Sequence, residues 1–194
     1  MTDVGDYMLA YAYYNNTAIS GAVDMSDLTA VIGSYACYYM FAVCTGLTSA
    51  NLSSLTTISG GYACNSMFFG CTGLTSVDLS SLTTISGTNT CNGMFNGCTG
   101  LTSIDLSSLT TITGNNACNY MFAGCTSLTT VRIGNTTAID FGTRTNQFSN
   151  MFINCAQNID VYAPAASQSA IEGLTGYPNF GGTGTVTWHW NTAE

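Results

Sequence analysis

The chain repeats one segment of its own sequence at a fixed shift of 27 residues, and this repetition limits the possible folds more than any other feature. The segment from Leu74 to Ile85 recurs from Leu101 to Ile112 with a single exchange of valine for isoleucine. Five units cover about 19–155, and the first of them is degenerate. A unit this short cannot bury its apolar residues alone, so the repeat predicts a solenoid in which neighbouring units stack.

Two periodicities alternate within each unit. Val77 and Leu79 are separated by polar Asp78, and this period of two favours a short strand. Cysteine, methionine and phenylalanine then follow at the spacing i, i+3, i+4, i+7, which predicts a short helix or 3₁₀ turn. In the central unit these residues are Cys91, Met94, Phe95 and Cys98. The last copy lies 30 residues after its predecessor, so three residues are inserted near 142–146.

The segments outside the repeats are predicted to cover the open ends of the stack, where core residues would otherwise meet water. Residues 1–18, rich in tyrosine and alanine, form the predicted N-terminal cap. Residues 156–194 are predicted to add a strand at 159–163, a helix at 165–174 and a capping edge strand at 185–190.

The pattern L-x-x-V-x-L-x-x-L-x-x-I, with the ending Met-Phe-x-Gly-Cys-Thr-x-Leu, resembles the BspA-like leucine-rich repeats of bacterial and protist surface proteins. The resemblance implies an α/β repeat protein, a right-handed leucine-rich-repeat solenoid with a parallel concave sheet, short helices or 3₁₀ turns on the convex side, and terminal caps. It also implies a non-enzymatic, adhesive or ligand-binding role. Two features depart from the usual pattern: the unit is several residues longer, and it contains the extra cysteines Cys37, Cys64, Cys91 and Cys118.

The charge composition excludes several classes of protein. Only 6% of the 194 residues are charged, and two arginines without any lysine leave a formal net charge of −8. Nucleic-acid binding needs a basic surface, and an anionic membrane surface is disfavoured for the same reason. The longest apolar run, 35–44, is half of the about 20 residues that a membrane span needs. The first residues lack the cationic segment of a secretory signal.

Nine cysteines raise the question of metal sites or disulfides. A zinc site is disfavoured because the cysteines are seven residues apart within a unit and His189 is the only histidine. Disulfides are disfavoured because helical residues seven apart are about 10 Å apart, and packed helices lie about 8–10 Å apart. We therefore expect two columns of buried, unoxidised thiols.

The polar side of the predicted strands is the candidate binding surface. Stacking of the units brings Asp24, Asn51, Asp78, Asp105 and Arg132 into one exposed column, flanked by serines. Asp78 and Asp105 would be adjacent like charges, which Arg132 is expected to relieve by pairing with Asp105. The predicted ligand-binding residues are Asp24, Asn51, Ser76, Asp78, Ser80, Ser103, Asp105, Ser107 and Arg132. The alternative is a solvated sheet face without a ligand. A Ca²⁺ site lacks the usual six to eight oxygens.

Neither catalytic residues nor a metal or cofactor is predicted, since nothing in the sequence would desolvate the aspartates or separate their pKa values. The predicted function is a non-enzymatic, cell-surface or extracellular module for adhesion or recognition. Its partner would be a protein or glycan on a host or neighbouring cell, without membrane insertion. The alternative is a phage virion component, in the tail or as a receptor-binding protein, and a weaker third possibility is a structural spacer.

Overall fold

The structure is a computed structural model that describes residues 3–155 and 157–192. Within these residues the chain forms a solenoid of about seven turns, in which strands of successive turns pair in parallel. In chain order the strands are β1 (Asp3–Val4), β2 (Ser20–Asp24), β3 (Ala30–Val31), β4 (Gly46–Asn51), β5 (Thr57–Ile58), β6 (Ser76–Asp78), β7 (Thr84–Ile85), β8 (Ser103–Leu106), β9 (Thr111–Ile112), β10 (Thr130–Ile133), β11 (Ile159–Pro164) and β12 (Val186–Asn191).

The strands form two rows along the stack. We call β2, β4, β6, β8, β10, β11 and β12 the concave sheet, because they include the strands that the repeat predicts for that face. Its ladder of hydrogen bonds is interrupted between β6 and β8, which still lie side by side. The other row contains β1, β3, β5, β7 and β9. The sequence analysis does not predict this second sheet, because its two-residue strands are too short to show a period of two.

The register of the strands follows the repeat. Asn51 lies opposite Asp78, one step of the repeat further along the chain. The degenerate first unit contains a register shift between Gly21 and Ala22, where Gly21 has a φ of 81°. In the last unit, the region of the inserted residues lies at the surface, where 142–145 are exposed.

A chain of tight turns forms the convex side of each solenoid turn, which corrects the prediction of a helical segment there. Alternate backbone N–H groups donate within the segment and to the next solenoid turn: Met67 donates to the Cys64 carbonyl at 3.2 Å, and Cys64 donates to the Thr90 carbonyl at 2.8 Å. Every fourth residue is left-handed, as at Ser66 and Gly70 with φ values of 54° and 66°. We call these segments, 34–44, 61–71, 88–98, 115–125 and 146–155, the convex segments.

The core consists of columns of identical residues, as the repeat predicts. Successive phenylalanine rings of the convex segments stack face to face, with centroids 5.6–6.1 Å apart and interplanar angles of 2–14°. The rings belong to Phe41, Phe68, Phe95, Phe122 and Phe152, all at most 2% exposed. Leucines and isoleucines of the two sheets enclose this column from the other side. The alignment of the phenylalanines confirms the predicted stacking of units.

The two ends of the described chain continue the same architecture. Residues 5–15 run along the first convex segment, where the Leu9 N–H donates to the Ala36 carbonyl at 2.8 Å. At the other end the predicted strand and helix are present, as β11 and as a 3₁₀ turn (Ala165–Ser167) followed by α1 (Gln168–Glu172). The last strand, β12, pairs in parallel with β11 and so adds one more strand to the concave sheet.

Candidate functional site

The concave sheet places the predicted column of polar side chains in register. Asp24 lies opposite Asn51, and Asn51 lies opposite Asp78. Asp105 lies opposite Arg132 on the two strands that follow. Asn51 is half-buried and the other four are exposed, so the structure brings together the side chains that the sequence analysis selected.

A shallow depression of about 620 Å³ lies over the first part of this column. Its polar lining consists of Asp24, Ser49, Asn51, Ser76, Asp78, Ser80 and Asp105. We call it the acidic depression, because the charged side chains in this lining, Asp24, Asp78 and Asp105, are carboxylates. The predicted site residues Ser103 and Ser107 lie on β8 and directly after it, beside this depression and outside its lining.

The aspartates of the column also hold the chain at the ends of the strands. In each case Oδ1 accepts the backbone N–H two residues later, from Ser80 to Asp78 at 3.0 Å and from Ser107 to Asp105 at 2.9 Å. This Asx turn is a common local use of aspartate. One carboxylate oxygen therefore has a structural role.

Asp24 is the most strongly hydrogen-bonded member of the column. The side chain and backbone N–H of Ser26 both donate to it, and the Asn51 amide adds a third hydrogen bond at 3.0 Å. These hydrogen bonds to the charged form lower the pKa of Asp24. The Asp24 carboxyl group, at this end of the column, is therefore ionised at neutral pH.

Arg132 does not form the predicted ion pair with Asp105. Its guanidinium carbon lies 4.6 Å from the centre of the Tyr162 ring, in a cation–π contact. The other polar contact at this end of the sheet joins His189 to Asp160, whose Nε2 and Oδ1 are 2.9 Å apart. The prediction failed because it treated Arg132 as the end of the column, whereas the sheet continues over two more strands.

Those two strands add polar and aromatic residues that the sequence analysis missed. Tyr162 lies opposite Arg132, and His189 lies opposite Tyr162. The Tyr162 and His189 rings are stacked, with centroids 4.6 Å apart. Val161 occupies the position of Val131, so the residue after it could have been assigned to the column in the way that Arg132 was.

A second depression of about 650 Å³ lies at this end of the sheet. Its lining residues are Arg132, Asn135, Thr136, Trp190, Asn191 and Thr192. We call it the arginine depression. Carboxylates therefore line the acidic depression, and a cation with amide and hydroxyl groups lines the arginine depression, with the Asp160 carboxylate hydrogen-bonded to His189 on the adjoining strands.

The cysteines are all buried and unpaired, in agreement with the expected free thiols. The helix spacing used in that prediction does not apply, since the convex segments are joined by backbone hydrogen bonds. One series donates its S–H groups to carbonyls of the preceding turn, as Cys98 does to Phe68 at 3.1 Å. In the part of the chain that the structure describes, no three potential metal ligands of the His, Cys, Asp or Glu type converge.

Parallel strands stacked on a 27-residue repeat define the chain as a solenoid repeat protein. More narrowly, it belongs to the BspA-type leucine-rich repeat family, because the profile of the BspA type leucine rich repeat region matches residues 7–160 in six copies. No curated protein matches the chain.

Among solved structures, the chain is similar to the crystal structure of a leucine-rich repeat protein from Bacteroides ovatus. The two sequences are 19% identical and the TM-score is 0.36. The similarity covers 97% of this chain and 52% of that protein, so the chain spans about half of its relative's length. None of the helices among the described residues has the length and apolar character to cross a bilayer.

Proposed function

We propose that this chain is a non-enzymatic recognition module on the outside of a bacterial cell, which binds a protein or a glycan through its concave sheet. The observation that carries the proposal is a column of exposed and half-buried hydrogen-bonding groups on successive strands of the concave sheet. Its members are Asp24, Asn51, Asp78, Asp105, Arg132, Tyr162 and His189. Successive members lie one strand spacing apart, about 4.8 Å, which suits an elongated polar ligand.

The free hydrogen-bonding capacity of the column supports a ligand rather than a purely structural role. Asp78 and Asp105 each use Oδ1 in a local turn, and a carboxylate has further acceptor sites on its second oxygen. Both side chains are exposed and line the acidic depression, where such acceptors can meet hydroxyl or amide donors. The convex segments, by contrast, use their backbone groups to join neighbouring turns.

The state of the Asp24 carboxylate supports binding rather than acid catalysis. A carboxyl group that acts as a general acid near neutral pH needs a raised pKa, which burial in an apolar site supplies. The pKa of Asp24 is lowered instead, because Ser26 and Asn51 donate hydrogen bonds to its carboxylate. The family supports a location outside the cell, because BspA-like repeats are typical of bacterial surfaces.

The proposal predicts that cationic side chains placed on the concave sheet abolish binding. We expect Asp78→Lys with Asp105→Lys to reduce binding to intact host cells, or to the glycans that the wild type selects on a glycan array, at least tenfold. Because these changes also remove two Asx turns, Ser76→Lys with Ser103→Lys provides a second pair that keeps those turns. Both serines are exposed on the same strands.

The matched control adds the same charge at the edges of the convex segments. Thr88→Lys with Thr126→Lys changes exposed residues outside the concave sheet by the same two positive charges as the serine pair. We expect this control to bind as the wild type does. Wild-type binding by both concave pairs would reject the concave sheet as the binding surface.

A further inference from the structure

We infer that the arginine depression binds the carboxylate-bearing ring of an acidic sugar, with Arg132 as its anion-binding residue. This inference rests on the proposed role of the concave sheet and names the ligand chemistry at one end of it. The two depressions of the concave sheet differ in the charge of the side chains that line them. Three carboxylates line the acidic depression, whereas among the described residues Arg132 is the one charged side chain that lines the arginine depression.

The guanidinium of Arg132 is exposed and has no carboxylate partner in the described part of the chain. Its cation–π contact with Tyr162 stabilises the positive charge without pairing an N–H donor with an acceptor. Of the carboxylates on the two adjoining strands, Asp105 lies opposite Arg132 but accepts the Ser107 N–H and forms no ion pair with the guanidinium, and Asp160 is hydrogen-bonded to His189. Arg132 is therefore held in place while its donors remain available, and a guanidinium fits a carboxylate through two parallel N–H···O bonds.

The rest of the lining matches a sugar ring. Asn135, Thr136, Asn191 and Thr192 supply amide and hydroxyl groups, which can both donate to and accept from ring hydroxyls. Trp190, half-buried and stacked on Trp188, also borders the depression. The volume of about 650 Å³ lies in the range of small-ligand sites.

A cation in a polar depression is uncommon on a chain as acidic as this one, so the position of Arg132 points to a ligand with negative charge. The chain has a net charge of −8 and only two cationic side chains besides its histidine. The amides and hydroxyls of the lining can hydrogen-bond a neutral sugar, and the guanidinium adds a charged, two-pronged contact that only an anionic group can use in full. A sugar that carries a carboxylate can use both sets of groups, with its carboxylate on Arg132 and its hydroxyls on the amides and hydroxyls of the lining.

The test compares methyl glucuronide with methyl glucoside. These two small sugars differ only at C6, which is a carboxylate in the first and a hydroxymethyl group in the second. Each is titrated into the ¹⁵N-labelled full chain, and the dissociation constant is taken from the shifts of amide and side-chain N–H signals. We expect methyl glucuronide to bind at least tenfold more tightly, with the largest shifts at Arg132, Asn135 and Asn191. We expect Arg132→Gln to reduce the affinity for methyl glucuronide at least tenfold and to leave that for methyl glucoside unchanged.

The chain offers a matched control in its other arginine. Arg144→Gln removes the same charge from the exposed loop at 142–145, so it should bind both sugars as the wild type does. Arg132→Lys keeps the charge but loses the two-pronged geometry, and it should retain part of the preference for the carboxylate. The amide spectrum of each variant reports directly whether the fold is intact.

Three results would overturn the inference: equal affinity of the wild type for both sugars, wild-type affinity in Arg132→Gln, or no shift with either sugar. These results are separate from the test of the proposed function. If the lysine pairs on the concave sheet abolish cell or glycan binding while methyl glucuronide causes no shift, the binding surface stands and only the arginine depression fails. If the lysine pairs have no effect while methyl glucuronide binds at Arg132, the proposed column fails and the depression stands.

Discussion

The cysteine that closes each convex segment links two turns of the solenoid through its S–H group. The thiol of Cys71 donates to the Phe41 carbonyl at 3.0 Å, and that of Cys125 to the Phe95 carbonyl at 3.0 Å. A cysteine S–H is a weak donor on a small apolar side chain, which suits a position that is fully buried and faces one carbonyl. These cysteines are therefore explained by packing, without metal or disulfide chemistry.

Burial of the thiols makes stability depend on pH. It raises the pKa of Cys71 and of Cys118 to about 12 each, whereas an unfolded cysteine titrates at about 8.5. Between these values the unfolded chain has released protons that the folded chain keeps, so the free energy of unfolding falls as pH rises. Each such thiol contributes up to about 1.4 kcal/mol per pH unit.

Urea unfolding at pH 7, 9 and 10, with a phosphine reductant present, checks this dependence. We expect a steady loss of stability above about pH 8.5, and a smaller slope against pH in Cys118→Ala, which lacks one of the buried thiols. A free energy of unfolding that stays constant from pH 7 to pH 10 would show that the thiols are not buried in this way.

Among the elements, the convex segment is the one whose backbone conformation the apolar pattern of the sequence does not determine. In a chain of four-residue turns, Cys91 and Phe95 are four residues apart and both point inward, as do Met94 and Cys98. A helix would bury the same residues at the same spacing, so the apolar pattern alone cannot distinguish the two. The distinguishing feature is the left-handed residue in every fourth position, occupied by glycine at Gly93 and Gly97 but by other residue types elsewhere.

Replacement of Gly97 by alanine distinguishes a helix from the observed chain of turns, because it should stabilise a helix and destabilise the turns. In a helix, alanine is more favourable than glycine by about 1 kcal/mol. At the observed φ of 75°, the left-handed conformation costs alanine about 1–2 kcal/mol, and the lower entropy of the unfolded chain offsets part of that cost. We therefore expect Gly97→Ala to lose about 1 kcal/mol of stability in urea unfolding.

Space is not the reason for the expected loss. A Cβ at Gly97 would meet Gly70 at 3.6 Å, an ordinary van der Waals distance. Gly124→Ala, at the same position one turn later, should give the same result. A gain of stability in both variants would contradict the chain of tight turns in the convex segments and support a helix there.

At the scale of the whole molecule, the repeat predicted the stacking and most of the candidate site. The position of Asp78 in one unit fixes that of Asp105 in the next, because a shift of 27 residues relates the strands of successive regular units. Tyr162 and His189 were missed because they follow the last recognisable unit, where only Val161 preserves the pattern. The cation–π contact of Arg132 was missed because it depends on the neighbour that the repeat no longer specifies.

Phe95 lies at the centre of the ring column and should carry a large share of the stability of the stack. Its ring is fully buried between those of Phe68 and Phe122. We expect Phe95→Ala to lower the free energy of unfolding by about 3–5 kcal/mol, measured in urea. Phe69→Ala, at a half-buried position beside Tyr39, is the matched control and should lose clearly less. Equal losses in the two variants would mean that the column has no special role.

Amide hydrogen exchange of Phe95→Ala under native conditions tests most directly whether each turn is held by its neighbours. The Phe68 N–H donates to the Met94 carbonyl, and the Phe95 N–H donates to the Met121 carbonyl. We expect protection to fall in 64–71 and 118–125 together with 91–98, because the hydrogen bonds of these segments cross from turn to turn. Loss of protection confined to 91–98, with wild-type exchange on both sides, would contradict it.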